Sequence, residues 1–216
     1  MEKQTIQPFL TVANYHLIKQ QADKILKTLA TTKDKNVILA VRGIVRSDVI
    51  DSFVLSDEQV KLVEPLIHIK DRTEGEAFLE QLKAYVIPFK AMEPSKLKSL
   101  FKKEKKLKLP DLDDIDFQEI SYLTWDDSGK QRKYMVIEEN GKYKALKGTF
   151  KHQTTKGICA LCNCHSDVVR LTTSVKGQVS GTFTNHYSYI CADSQLCNQH
   201  VTDMEKVKAF FERVTN

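Results

Sequence analysis

Every cysteine of the chain lies in one of two short stretches, K-G-I-C-A-L-C-N-C-H (Lys156 to His165) and Y-I-C-A-D-S-Q-L-C-N (Tyr189 to Asn198). Cys159 and Cys162 form a C-x-x-C pair after small residues, the spacing with which a zinc knuckle supplies two thiolates from one tight turn. Cys191 and Cys197 are separated by five residues. Four thiolates drawn from two segments can surround a zinc ion tetrahedrally, and with no open position such an ion is structural. The wide second spacing leaves other ligand sets open. Cys164 could take the place of Cys162, and His165, His186 and His200 lie nearby, although each lone histidine reads first as an ordinary surface or packed residue. An odd count of five cysteines fits metal ligation in a reducing compartment better than paired disulfides. A thioredoxin-like role for C-A-L-C is disfavoured, because that motif belongs at the start of a helix in a βαβ unit and needs no second thiol pair.

Other chemistry is sparse. The chain has no P-loop, G-x-S-x-G or H-E-x-x-H motif, and the aspartates of D-L-D-D-I-D have no second metal-binding segment to join. The expectation is therefore a binding protein and not an enzyme. Zinc binding by small metallo-domains is worth about 10 to 16 kcal/mol, comparable with the whole stability of a domain. The ion would build a rigid platform from a strand-rich lobe with a thin core.

The elements that must position these thiols can be read from patterning. With 41% hydrophobic residues the chain can build real cores, and its N-terminus, M-E-K-Q-T-I-Q-P-F, shows no apolar leader. The longest apolar run, Val37 to Val41, is far too short to span a membrane, so a cytosolic protein is expected. Leu10, Ala13, Leu17, Ala22, Ile25, Leu26 and Leu29 recur at helical spacing, which predicts a helix from Pro8 to Thr31. A second helix follows Asp34 as N-cap, with Val37, Ile38, Val41, Ile44, Val45 and Val49 on one side. Ser56 with Gln59 and Thr73 with Glu76 have capping-box spacing and predict two more, the first interrupted at Pro65 and the second ending before Pro88.

Beyond residue 88 the pattern changes. A fifth helix starts at Pro94, burying Leu97, Leu100 and Phe101, and Asn140-Gly141 between two β-rich runs predicts a tight hairpin. V-V-R-L-T-T-S and T-F-T-N-H-Y-S-Y-I read as strands, and T-D-M-E-K-V-K-A-F-F-E-R-V as a closing helix capped by Thr202 or Asp203. The expected fold class is α+β, with an N-terminal helical bundle over 1–88 and a C-terminal α/β domain carrying a four-cysteine zinc site over 89–216. The net charge of +5 is unevenly spread. Eight lysines fall between Phe89 and Lys108, and seven acidic residues with no basic one between Leu109 and Ser128. The preferred reading is a solvated helix face followed by a partly neutralising acidic loop; the other is a surface for an oppositely charged partner.

Several stretches together resemble one family. Y-V-I-P-F, P-S-K-L-K-S-L-F-K-K-E-K-K-L-K-L-P, R-K-Y, K-G-I-C-A-L-C-N and Y-I-C-A-D-S-Q-L-C-N-Q-H-V-T-D are similar to the FusB-type family, the elongation factor G-binding proteins associated with fusidic acid resistance. The resemblance is strongest over the last 130 residues and includes the five-residue gap between Cys191 and Cys197. It implies Cys159, Cys162, Cys191 and Cys197 as ligands of a structural Zn2+, with Cys164 an extra thiol. It also implies a monomer that binds the C-terminal domains of elongation factor G and promotes release of the factor from ribosomes on which fusidic acid has trapped it. The resemblance implies neither covalent chemistry nor drug binding. Partner-facing positions carry over to Ile158, His186, Tyr189 and Phe210. Ile158 stands where the family pattern has an aromatic and His186 where it has lysine, departures that bear on affinity. Ile158 and Phe210 are equally readable as core residues, and Tyr187 shares a strand face with Tyr189. The alternative function is an RNA-binding zinc module that uses Lys96 to Lys108 for phosphates and Tyr187 and Tyr189 for stacking.

Overall fold

A computed structural model of the chain describes residues 6–215. The stretch Met1 to Thr5, part of the segment read above as lacking an apolar leader, lies outside them. The chain divides into two compact units, Met1–Ile87 and Pro88–Asn216.

The first unit is helical, as its apolar spacing predicts. Its longest helix, α1 (Val12–Thr31), begins later than Pro8 because Thr11 is the N-cap, its side chain accepting from the Asn14 N–H. The residues before it are committed elsewhere. Phe9 and Leu10 donate their N–H groups to the Tyr85 carbonyl, and Leu10–Thr11 (β1) pairs in parallel with Val86–Ile87 (β2). Helix α2 (Lys35–Arg46) is capped by Asp34 and runs on into a π-helical turn over Ser47–Asp51. Helix α3 (Asp57–Val63) opens with the complete Ser56–Gln59 capping box, and the chain tightens into a 3-10 turn at Glu64–His68, where Pro65 cannot continue the α-helical ladder. Helix α4 (Arg72–Lys83) departs from expectation at its start. Asp71, not Thr73, is its cap, accepting from the Glu74 N–H, because a carboxylate two residues upstream offers the orphan amides a stronger acceptor. Ile18, Ala22, Ile25, Val45, Val63, Leu66 and Leu82 meet in the core.

The second unit is built on a mixed-length antiparallel sheet. Helix α5 (Pro94–Leu100) precedes strands β3 (Leu123–Asp127), β4 (Arg132–Glu139), β5 (Lys142–Phe150), β6 (Thr155–Ile158), β7 (His165–Lys176) and β8 (Phe183–Cys191), followed by α6 (Ser194–His200) and α7 (Met204–Thr215). The β4–β5 hairpin turns at Asn140 and Gly141, both at positive φ (51° and 74°), the geometry a two-residue turn of this type demands. Strand β7 is the longest and organises the rest. One of its edges pairs with β6 through Val168 to His165 and with β5 through Leu171 and Thr172, while β8 covers the other from Val168 to Lys176.

On one side of the sheet Leu97 and Phe101 pack on Trp125, Tyr134 and Val136, with Phe101 edge-on to both Trp125 and Tyr134. Helix α7 lies against β5 and β7, burying Val207, Phe210, Phe211 and Val214. Thr173 on β7 donates to the Val214 carbonyl, fixing the end of α7. All eight lysines of the basic run are exposed, but only Lys96 and Lys98 lie on α5, which ends at Leu100; the others flank the helix instead of forming one helical face. Glu104 within that run turns inward and pairs with Arg132 and Lys147, both at 2.6 Å, tying the lysine-rich segment to β4 and β5.

Candidate metal centre

The knuckle between β6 and β7 is closed by its own backbone. The Cys159 N–H donates to the Cys164 carbonyl (3.0 Å), the Asn163 N–H donates to the Cys159 carbonyl (2.9 Å), and Asn163 takes the left-handed φ of 59° that lets the loop reverse so tightly. Cys191 is the last residue of β8, and Cys197 sits in α6, whose first turn is capped by the Asp193 carboxylate accepting from the Gln195 and Leu196 N–H groups. Knuckle, hairpin and short helix thus bring together thiols from three elements.

The Sγ atoms of Cys159, Cys162, Cys191 and Cys197 are buried and all lie within 4.8 Å of one another. The Cys159–Cys197 and Cys162–Cys191 sulfur pairs are each 3.6 Å apart. A tetrahedron with Zn–S bonds of about 2.3 Å has edges of about 3.8 Å, so the four sulfurs surround a space that fits zinc. The surroundings are built for negative sulfur. The N–H groups of Leu161 (3.4 Å) and Cys191 (3.3 Å) donate to Cys159 Sγ, and Ser166 Oγ lies 3.2 Å from Cys191 Sγ. In this crowded set the Cys162, Cys191 and Cys197 thiols hold Cys159 far below the ordinary thiol range, while the same closeness of sulfurs pushes ionisation of Cys197 and Cys162 well up. Only a cation lets all four become thiolates together.

Residues other than the cysteines support the centre. Tyr122 is fully buried with its hydroxyl on Cys197; burial, followed by the charge of the neighbouring sulfurs, raises its pKa well above the usual phenol value. Asn198, adjacent to Cys197, accepts from the Ser121 and Tyr122 N–H groups at Oδ1 (2.8 and 3.2 Å) and donates from Nδ2 to the Tyr122 carbonyl (3.1 Å). Lys133 on β4, only 2% exposed, reaches Asp126 (2.8 Å) and Ser194 Oγ (2.5 Å), joining the sheet to the start of α6. The links of Tyr122 to Cys197, of Asn198 to Ser121 and Tyr122, and of Lys133 to Ser194 have no local sequence signal, because each spans a long separation in the chain.

Residues 97–214 match the FBP C-terminal treble-clef zinc-finger family, and residues 9–90 match the N-terminal family of elongation factor G-binding protein. The chain belongs to the FusB-type family. Among solved structures it is similar to that of the fusidic acid resistance protein FusC, with 28% identity, 98% of this chain and 100% of that chain covered, and a TM-score of 0.84. Among curated proteins nothing matches the chain. A FusB-type treble clef requires a structural zinc ion, and here Cys159, Cys162, Cys191 and Cys197 are the residues placed to hold it. Zinc would neutralise the crowded thiolates and pin the knuckle, the end of β8 and α6 to one point.

The positions expected to face the partner of a FusB-type protein do not all share a surface. Ile158 (62% exposed) and Tyr189 (50%) are open, as are Tyr187 and Phe183 on the same face of β8 as Tyr189. Arg170 lies opposite Tyr189 and places its guanidinium 5.4 Å from the Tyr187 ring centre. His186, of opposite parity on β8, is half-buried, with Nε2 buried and without a hydrogen-bond partner. Phe210 is 1% exposed, stacked edge-on to Phe211 inside α7's packing face. The expectation of a partner-facing Phe210 is corrected: the apolar stripe of α7 is spent on β5 and β7, and no ring surface is left for another molecule. Period-two alternation through Phe183, Asn185, Tyr187 and Tyr189 would have disclosed Phe183 as a further member of the exposed row.

Proposed function

We propose that this chain binds elongation factor G through the open face of its C-terminal zinc domain and promotes release of the factor from ribosomes on which fusidic acid has trapped it. Family membership across both units supports the choice of partner, and the likeness to FusC supports the setting of fusidic acid resistance. The observation that carries the reading is the row of exposed aromatics on β8, Phe183, Tyr187 and Tyr189, ending two residues before Cys191 of the metal centre. Large rings held rigid before binding lose little entropy on docking, and such aromatics dominate interface energetics. Zinc would supply the rigidity. In this reading the protein does no covalent chemistry; it acts by binding and leaving unchanged.

Among the described residues no helix is long and apolar enough to cross a membrane. The test is calorimetric titration of the purified zinc-loaded chain into elongation factor G, followed by a ribosome-sedimentation assay with factor, GDP and fusidic acid. Saturable binding together with movement of the factor from pellet to supernatant is the expected result. Binding without release would leave a simple sequestering protein, and no binding would remove the reading altogether.

A further inference from the structure

Cys164 takes no part in the four-sulfur centre, yet it is not isolated. Its Sγ, the Cys162 Sγ and a ring nitrogen of His200 all lie within 4.8 Å of one another, a second convergence of metal-ligating atoms that shares Cys162 with the first. They come from two places in the chain: the knuckle supplies both cysteines, and His200 is the last residue of α6. His200 Nδ1 is buried and has no hydrogen-bond partner, an uncompensated polar atom of the kind a bound cation satisfies. Cys164 and His200 are half-buried, so a cation can reach them from solution.

We propose that Cys162, Cys164 and His200 form a second site for a thiophilic d10 cation, with the Cys162 thiolate bridging it to the zinc of the four-cysteine centre. Two sulfurs and an imidazole nitrogen select zinc, cadmium or copper(I) over hard cations such as magnesium. A divalent ion held by four thiolates keeps a net negative charge, and a second cation on the bridging sulfur offsets it. Binding would release the Cys164 thiol proton to solvent, while His200 binds as neutral imidazole. With three protein ligands the second ion keeps a coordination position for water or a small thiol, so it exchanges more readily than the enclosed zinc.

The test uses the full chain, stripped of metal and refilled with cadmium alone. Bound ion is counted by mass spectrometry after gel filtration, and thiolate ligation is followed by sulfur-to-cadmium charge-transfer absorbance. The unaltered chain is expected to retain two equivalents, and Cys164→Ser and His200→Gln one each, with circular dichroism unchanged. One equivalent in the unaltered chain overturns the proposal, as do two in Cys164→Ser. Loss of both equivalents by Cys164→Ser also overturns it, since that would place Cys164 among the ligands of the first centre. Because the Cys164 side chain is half-buried and outside the four-sulfur set, this variant carries the test even if His200→Gln fails to fold.

Discussion

The backbone N–H of Ala160, inside the zinc knuckle, donates to the carbonyl of Tyr189 at 2.8 Å. The metal loop therefore holds the strand at the residue whose ring is offered to solvent, and loss of the knuckle geometry frees that ring. Removing a ligand should show this. Cys191→Ser is expected to lower zinc content and to cost a large part of the about 10 to 16 kcal/mol that structural zinc supplies in small domains. Metal analysis and thermal unfolding check it; full zinc retention with unchanged melting rejects it.

Tyr189→Ala removes a half-exposed ring without touching the buried side of β8. Its expected effect is weaker binding of elongation factor G by about 2 kcal/mol, the scale of a hot spot, with melting temperature and zinc content unchanged. Calorimetry against the factor decides it. An affinity equal to that of the unaltered chain would move the interface off this strand.

Phe210→Ala should behave in the opposite way. The ring is buried against Phe211 in the core beneath α7, so truncation is expected to cost about 3 to 5 kcal/mol of stability. Under conditions where the variant remains folded, its affinity for the factor should be preserved. A stable variant with impaired binding would return Phe210 to the interface.

Tyr122→Phe deletes only the hydroxyl on Cys197. Groups that support metal ligands commonly change affinity by about tenfold to a hundredfold, so zinc should pass to a competing chelator more readily from this variant. The circular dichroism of the loaded protein should stay the same. Identical transfer curves would show that the hydroxyl does not support the centre.

Glu104 gives a pH signature. The hydrogen bond from Lys147, and then the charges of Lys147 and Arg132, hold its carboxyl below the usual carboxylate range. A folded-state pKa depressed in this way stabilises the protein above the unfolded pKa. That contribution is lost as pH falls through the folded value. Glu104→Gln is expected to destabilise by about 1.5 to 3 kcal/mol at neutral pH, as for a lost charged hydrogen bond, and the difference should vanish in acid. Urea titrations at neutral and acid pH measure it, and a difference independent of pH would contradict the assignment.

Much of the organisation was legible because it rests on local rules. The Asn140-Gly141 turn, the Ser56–Gln59 box, the Asp34 cap and Pro94 at a helix start each depend on a few neighbouring residues. Boundaries shifted where a distant partner intervened. Phe9 and Leu10 were drawn out of the first helix by the Tyr85 carbonyl, which no local pattern announces. Strand β3 was hidden for a related reason: its L-T-W-D-D lies inside an acidic stretch, and its place is set by pairing with β4 and by Trp125 packing on Tyr134.

By itself the sequence determined the α+β class and the zinc-binding chemistry, since ligand type, ligand spacing and apolar period are written along the chain, and the resemblance of its motifs pointed to the family. Only the tertiary structure decided which four thiols converge, and that Cys164 lies beside Cys162 and His200. It also decided that Tyr122 closes the centre, and that Phe210 faces inward while Tyr189 faces out. Those outcomes depend on how β7, β8, α6 and α7 pack, and burial on a helix or strand face is a property of the whole fold.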